Sequence, residues 1–136
     1  MRFVDTNILL YAVSNAPEES AKTMRARTLL DAEDLAVSIQ VLQEFYVQAT
    51  RPNRKGRLTH AQAVLLIEAF QRFRVQENTV ALLSAALSAK ARFQLSYWDA
   101  AIIEAARALG CRVVLSEDLS HGQSYAGIRV VNPFHG

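Results

Sequence analysis

The sequence predicts an α/β protein in which a short parallel sheet is flanked by helices on both faces. Short apolar, β-rich runs alternate with amphipathic helical segments from one end of the chain to the other, the pattern of helices covering parallel strands. The chain has 136 residues, 51% of them hydrophobic, which is enough for one core covered on two sides. We therefore expect a single domain over residues 1–136, with no internal repeat or linker.

The first half of the chain predicts two strands and three helices. Arg2-Phe3-Val4 is the first strand, and the apolar run from Ile8 begins the first helix. Pro17 opens an amphipathic helix over 18–32. A short buried strand follows at 35–37. Ser38 is placed to cap the next helix, over 39–49, whose apolar residues share one face.

The second half predicts three helices and three strands. Thr59 opens a helix to about residue 73, and a brief strand lies near Val75. An alanine- and leucine-rich helix covers 79–93. The next helix covers 98–109 and ends at Gly110, and the strands 113–115 and 128–131 complete the sheet.

Several classes of protein are disfavoured by what the sequence lacks. Its apolar runs are far shorter than the roughly 20 residues of a membrane span, and the N-terminus does not resemble a secretory signal, so we expect a cytoplasmic protein. The single cysteine, Cys111, is predicted to be a small buried residue rather than a reactive thiol. No Cys/His metal motif, glycine-rich phosphate loop or G-x-S-x-G elbow is present.

The positive charge of the chain is concentrated in one loop. The net charge is only +2, but Arg51, Arg54, Lys55 and Arg57 form a cluster interrupted by proline and glycine, with no acidic neighbour in sequence. The simplest interpretation is a solvated connector. The alternative is a rim that contacts nucleic-acid phosphates.

Two aspartates follow predicted strands. Asp5 comes directly after the first strand, and Asp118 follows the strand at 113–115. Because the carboxyl ends of parallel strands line the crevice where open α/β sheets bind ligands, both are candidates for one acidic pocket. Local roles are equally open, since Asp5 can cap the following helix and Asp118 can close an Asx turn.

Asp99 and Glu44 lie on helices. Asp99 falls beside the apolar stripe of its helix, where an ionised carboxylate needs a partner or a metal. Its alternative role is a capping box with Ser96. A helical wheel places Trp98 among the apolar residues, which predicts a core position, whereas stacking on an unpaired base is the alternative. Read alone, Glu44 lies on the polar side of its helix and is a surface residue.

Four blocks of the sequence together resemble the acidic blocks of PIN-domain nucleases. They are D-T-N-I-L-L-Y at 5–11, S-I-Q-V-L-Q-E-F at 38–45, S-Y-W-D-A-A-I at 96–102 and S-E-D-L at 116–119. Their order, their spacing and the chain length are most similar to the small toxin ribonucleases of the virulence-associated protein C type. The resemblance covers nearly the whole chain.

The resemblance implies both a site and a function. It implies that Asp5, Glu44, Asp99 and Asp118 are the four acidic residues, so that the polar side of the helix carrying Glu44 faces the cleft. It also implies that Asn7 and Ser116, and less directly Thr6, orient the carboxylates. RNA as substrate, a cognate antitoxin and a homodimer are implied in the same way.

The chemistry of such a cluster requires a cation. Like-charged carboxylates about 4 Å apart repel by roughly 4 kcal/mol at an effective dielectric near 20, so the cluster would bind an ion or stay partly protonated. Oxygen ligands select hard ions such as Mg²⁺ or Mn²⁺. The expected function is a metal-dependent endoribonuclease. The alternative is a non-catalytic RNA- or protein-binding module on the same scaffold.

Overall fold

Six strands, all in one sheet, are present in the computed structural model, which describes residues 1–135. They are β1 (Arg2–Val4), β2 (Leu35–Ser38), β3 (Arg74–Gln76), β4 (Val113–Leu115), β5 (Ser124–Tyr125) and β6 (Ile128–Val131). The strand order is β3-β2-β1-β4-β6-β5. Neighbouring strands are parallel except at the β5 edge, where β5 pairs with β6 in the antiparallel sense. The predicted parallel sheet is confirmed, including the brief strand at Val75.

Six α-helices connect these strands within residues 1–135. They are α1 (Thr6–Ala12), α2 (Ser20–Leu30), α3 (Ile39–Ala49), α4 (His60–Phe70), α5 (Val80–Phe93) and α6 (Tyr97–Ala108). The predicted caps are present, since Ser38, Thr59 and Ser96 each accept a hydrogen bond from a backbone N–H of the first turn. Thr59 and Gln62 form a full capping box.

The structure corrects some predicted boundaries. The first helix begins at Thr6 rather than near Ile8, because the Asp5 side chain caps it. The segment predicted as a helix over 18–32 starts with a 3₁₀ turn, Pro17–Glu19, and α2 begins only at Ser20. Helix α4 ends at Phe70, three residues early. The strand β5 was not predicted.

Both faces of the sheet are covered. Successive residues of a strand point to opposite faces, and all four residues of β2 are buried. Phe3 and Val4 of β1 are likewise fully buried. Because side chains on both faces are shielded, helices must lie on each side of the central strands. The core therefore extends above and below β1 and β2, as the sequence predicts.

The chain order creates a crevice beside β1. From β1 the chain adds β2 and then β3 on one side, and it later places β4 on the other side of β1. Ligands of open α/β sheets bind at such a reversal, outside the carboxyl ends of the strands. The residues that directly follow β1 and β4 lie at this edge.

The prediction for Cys111 is confirmed, and the core prediction for Trp98 is wrong. Cys111 is buried at 1% exposure, whereas Trp98 is 63% exposed. Trp98 belongs to the first turn of α6, and the buried stretch of that helix begins only at Ala100. A helical wheel gives the side of a helix but not how far the neighbouring elements reach along it. No helix in the described part of the chain is long and apolar enough to cross a membrane.

Candidate active site at the carboxyl edge of the sheet

Asp5 is the most deeply placed carboxylate of the site. Its side chain is 6% exposed, its Oδ1 accepts a hydrogen bond from Thr6 N at 2.7 Å, and its Oδ2 accepts one from Ser116 Oγ at 2.7 Å. Burial raises the pKa of Asp5 from 3.8 to about 6, against the lowering effect of these two hydrogen bonds. The negative charges of Asp118 and Glu44 contribute to this rise as smaller causes.

Ser116 ties the end of β4 to Asp5. Its side chain is fully buried, and its single O–H donates to Asp5 while the oxygen accepts from the backbone N–H groups of Asp118 and Leu119, at 3.1 and 3.3 Å. These two bonds to the backbone close the local turn. The side chain of Ser116 therefore makes the turn for which an Asx turn at Asp118 was the predicted alternative. Ser116 therefore fixes Asp5 and the course of the chain at Asp118 together.

Asn7 bridges the two strand ends from the α1 side. Its Nδ2 lies 3.1 Å from Asp118 Oδ2, 3.4 Å from Ser116 Oγ and 3.5 Å from Asp5 Oδ2. Its Oδ1 accepts from Glu117 N at 3.1 Å. One amide thus holds the exposed carboxylate of Asp118 next to the buried carboxylate of Asp5.

Glu117 points into a different set of contacts. It accepts a hydrogen bond from Tyr11 Oη at 2.6 Å and forms a salt bridge with Lys22. Because Tyr11 lies on α1 and Lys22 on α2, this carboxylate anchors the Ser116–Asp118 segment to both helices. No local pattern marks this pairing, because Glu117 lies far along the chain from both Tyr11 and Lys22.

Glu44 faces the cleft rather than open solvent. It is half-buried, its Oε2 accepts from Thr6 Oγ1 at 2.9 Å, and its Oε1 accepts from Gln40 Nε2 at 2.9 Å. Gln40, only 8% exposed, also donates to the carbonyl oxygen of Trp98 at 3.3 Å. The polar side of α3 is therefore turned towards the start of α6. Sequence reasoning assigned no role to Gln40, although its position one turn before Glu44 placed it on the same face.

Asp99 lies in the first turn of α6. Its backbone N–H donates to Ser96 Oγ at 3.1 Å, which is one half of the predicted capping box. The reciprocal bond from the Ser96 backbone is not formed, so capping does not occupy the carboxylate in that way. Partial burial raises the pKa of Asp99, a hydrogen bond with Ser96 lowers it, and the charges of Asp118 and Glu44 raise it further.

The four carboxylates therefore share one electrostatic environment. The charges of Asp118 and Glu44 each act on both Asp5 and Asp99, although the four residues come from four separate segments. Over residues 1–135, no three acidic, histidine or cysteine side chains approach closely enough to hold one ion directly. In this arrangement the repelling charges are kept apart and bonded to Asn7, Thr6 and Gln40.

The basic loop lies elsewhere. Arg54 and Lys55 line a cavity of about 210 Å³ opposite the 13–19 segment, which includes Glu18 and Glu19. Arg51, Lys55 and Arg57 are exposed. The loop follows the end of α3 and makes no hydrogen bond to the four carboxylates, as far as residues 1–135 show. Glu18 and Glu19 give it the acidic neighbours that it lacks in sequence.

Comparisons with known proteins agree with this architecture. The family model of the PIN domain matches residues 2–123, and no curated protein sequence matches the chain. A toxin–antitoxin complex from Klebsiella pneumoniae superposes with a TM-score of 0.71 at 20% identity, covering 98% of each chain.

Two further solved structures share the fold. The sarcin–ricin loop cleaving toxin VapC20 of Mycobacterium tuberculosis has a TM-score of 0.66 at 20% identity, over 87% of this chain and 92% of that one. DNA-bound VapBC from Salmonella typhimurium has a TM-score of 0.66 at 21% identity, over 95% of each chain. Identities this low show the fold alone, whereas the family match covers nearly all of the sequence. The chain belongs to the PIN domain family.

Proposed function

We propose that this chain is a metal-dependent endoribonuclease, the toxin of a toxin–antitoxin pair, which hydrolyses RNA phosphodiester bonds in the cytoplasm. The observation that carries the proposal is the electrostatic coupling of Asp5, Glu44, Asp99 and Asp118 at the carboxyl edge of the sheet. Strand-end carboxylates at a topological switch point are well placed for chemistry on a bound ligand.

The donor set fits a hard divalent cation. All four side chains offer carboxylate oxygens, and the pKa values of Asp5 and Asp99 are raised by burial and by the charges of their neighbours. A bound cation would offset this burial cost and this repulsion between carboxylates. Mg²⁺ and Mn²⁺ both prefer oxygen ligands and keep several coordinated waters. Asp5, Asp99, Asp118 and Glu44 would hold the ion, in part through those waters. When bound, it would lower the pKa of a coordinated water and neutralise charge on the phosphodiester.

The surrounding polar residues orient these oxygens. Ser116 and Asn7 hold Asp5 and Asp118, while Thr6 and Gln40 each donate to one oxygen of Glu44. Both Glu44 oxygens are thus fixed, which suits a group that binds the ion or orients the attacking water. Such positioning matters because misplacement by about 1 Å can cost 10²-fold in rate.

The basic loop supplies contacts to the RNA backbone in this proposal. Arg51, Arg54, Lys55 and Arg57 present four positive charges on a mostly exposed segment. Phosphate contacts position a nucleic acid without reading its sequence. Neutralising these residues should therefore weaken binding of all RNAs alike and reduce its salt dependence.

The proposed partners rest on the structural neighbours. The Klebsiella structure is a toxin–antitoxin complex, and the Mycobacterium protein is described as cleaving the sarcin–ricin loop. By analogy, we propose RNA as substrate and a cognate antitoxin for this chain. We also propose a homodimer, which the family resemblance of the sequence implies. The proposal of the RNA and antitoxin partners is based on similarity of fold. The proposal of metal-dependent chemistry is based on the acidic cluster of this chain.

The test is the loss of cleavage in conservative variants. Asp5→Asn and Asp99→Asn should each abolish Mn²⁺-dependent cleavage of a panel of structured and unstructured RNAs while the circular dichroism spectrum is retained. Glu68→Gln, an acid-to-amide change at an exposed position on α4, should leave cleavage unchanged. Activity that survives in either aspartate variant would refute the assignment. RNA binding by the wild type without metal-dependent cleavage would instead favour the non-catalytic module.

A further inference from the structure

Trp98 is an exposed indole placed directly beside the candidate active site. Its side chain is 63% exposed, and it immediately precedes Asp99 in the first turn of α6. The Tyr97 ring braces it in an edge-to-face arrangement with ring centroids 5.0 Å apart. An aromatic ring left open to solvent beside such a site is suited to stacking on a flat ligand.

Two cavities adjoin the indole. One of about 350 Å³ is lined by Gln40, Gln43, Glu44, Val47, Gln48 and Trp98. A second, of about 210 Å³, shares Gln40, Gln43 and Trp98 and adds Asn78. The larger cavity contains the carboxylate of Glu44, so a group stacked on Trp98 would lie next to the proposed hydrolytic site. The amides of Gln40, Gln43 and Gln48 line the same space.

We propose that this cavity binds an unpaired base of the RNA substrate, next to the phosphodiester that is cut. Trp98 provides the stacking surface, and the amides of Gln43 and Gln48 can bond the edge of a base. Gln40 couples the pocket to the acidic cluster because it donates both to Glu44 and to the Trp98 carbonyl. The inference rests on the proposed function and assigns it a base-binding subsite formed by Trp98 and the glutamines of α3.

The position of the cavity beside Glu44 favours a nucleotide as its occupant. Four of the six residues around the larger cavity carry an amide or a carboxylate, and one of them is a candidate catalytic group. A base bound there would place the neighbouring phosphate at the carboxylates.

The chain contains only one tryptophan, so its fluorescence reports Trp98 alone. We would titrate single-stranded oligoribonucleotides into the protein in EDTA, where the proposed cleavage cannot proceed, and follow indole emission. Stacking predicts saturable quenching by single strands but not by a duplex or by an abasic strand of equal charge. Equal quenching by single-stranded DNA would still support base binding in this cavity. It would also mean that another part of the protein selects RNA over DNA.

Variants separate stacking from a structural role. Trp98→Ala should weaken binding of labelled single-stranded RNA about tenfold, within the range of base–aromatic stacking, and raise KM more than it lowers kcat. Trp98→Phe should restore most of that loss. Met24→Ala, at another exposed apolar position, should have no effect.

Two results would overturn the pocket. One is the absence of quenching by single strands. The other is emission that changes with protein concentration alone, together with dissociation of a dimer in Trp98→Ala, which would make the face a contact between copies. Wild-type cleavage is assayed in parallel with Mn²⁺. Cleavage without quenching removes the pocket only, whereas quenching without cleavage supports the pocket and removes the enzyme assignment.

Discussion

Asp5 combines helix capping with the proposed chemical role in one side chain. Sequence reasoning treated helix capping and ligand binding as alternatives, but the two oxygens are used differently. Oδ1 caps α1 through Thr6 N, while Oδ2 faces Ser116 and Asn7. The cap fixes the rotamer of the carboxylate and so determines where Oδ2 lies. Capping therefore positions this residue for the proposed site instead of competing with it.

The raised pKa of Asp5 predicts a specific pH dependence of stability. Its folded-state pKa of about 6 exceeds the value of 3.8 for an unperturbed carboxyl, so the folded state binds this proton more tightly. Without metal, the stabilising contribution is fully present below about pH 4 and is lost as the pH rises through 6. The gap corresponds to about 3 kcal/mol.

Urea denaturation in EDTA between pH 4 and 7.5 measures this effect. The free energy of unfolding of wild type, relative to Asp5→Asn, should fall by about 2.4 kcal/mol across that range, because the unfolded-state carboxyl is already partly ionised at pH 4. Asp31→Asn, at an exposed aspartate, should follow the wild-type curve. Parallel curves for wild type and Asp5→Asn would show that Asp5 titrates normally in the folded state.

At the level of elements, the local signals were sufficient for most of the fold. Alternation of apolar runs and capped helices predicted the strands β1 to β4 and β6, because each signal lies within a few residues of its element. Strand β5 has only two residues, Ser124–Tyr125, and forms by pairing with β6. A pairing of that kind leaves no periodic pattern in the sequence.

The acidic site was only partly accessible from local patterns. Asp5 and Asp118 are marked by the strands that precede them, whereas Glu44 reads as a surface residue until the polar face of α3 is known to meet α6. The prediction for Trp98 is wrong in the opposite direction. Its position on the apolar side of α6 predicts burial, but the side chain is exposed. Both depend on how far neighbouring elements extend, which no single-helix pattern contains.

Gly56 lies where the basic loop approaches the 13–19 segment. Its φ of +71° is in the left-handed region, and a Cβ there would lie 2.3 Å from Asn15 Oδ1. Asn15 is exposed and Oδ1 is the end of its side chain, so the side chain can turn away and the contact should cost little. Gly56→Ala should therefore destabilise the protein by roughly 1–2 kcal/mol, the backbone strain alone. Gly110, with φ of +78° and nothing within 4 Å of a Cβ, provides the control for strain without contact.

Thermal or chemical denaturation of three variants separates the two contributions. Gly110→Ala should show the strain alone, and Gly56→Ala should match it because the Asn15 side chain turns away. Adding Asn15→Ala to Gly56→Ala should then change the free energy of unfolding little. A larger destabilisation by Gly56→Ala that Asn15→Ala recovers would mean that Asn15 is held in place against the loop.

For the whole molecule, the fold and the site have the same origin. The strand order reverses at β1, so the carboxyl ends of β1 and β4 lie side by side, and α3 and α6 bring Glu44 and Asp99 to the same edge. Residues separated by as many as 113 positions meet because of this topology. The energetic consequence is a group of like charges whose mutual repulsion the proposed cation would offset.

Metal binding should therefore stabilise the folded protein. An ion that binds only the folded state adds about 2.7 kcal/mol at a concentration of 100 times Kd, which amounts to several degrees in Tm for a domain of this size. Mg²⁺ or Mn²⁺ added to EDTA-stripped protein should raise Tm, with matched NaCl as the control for ionic strength. The rise should be small in Asp5→Asn and Asp99→Asn and unchanged in Glu68→Gln. It should also shrink at pH 5, where a proton on Asp5 competes with the metal. If the wild-type Tm stays constant up to millimolar metal at pH 7.5, the four carboxylates are not a cation site and the hydrolytic proposal loses its chemistry.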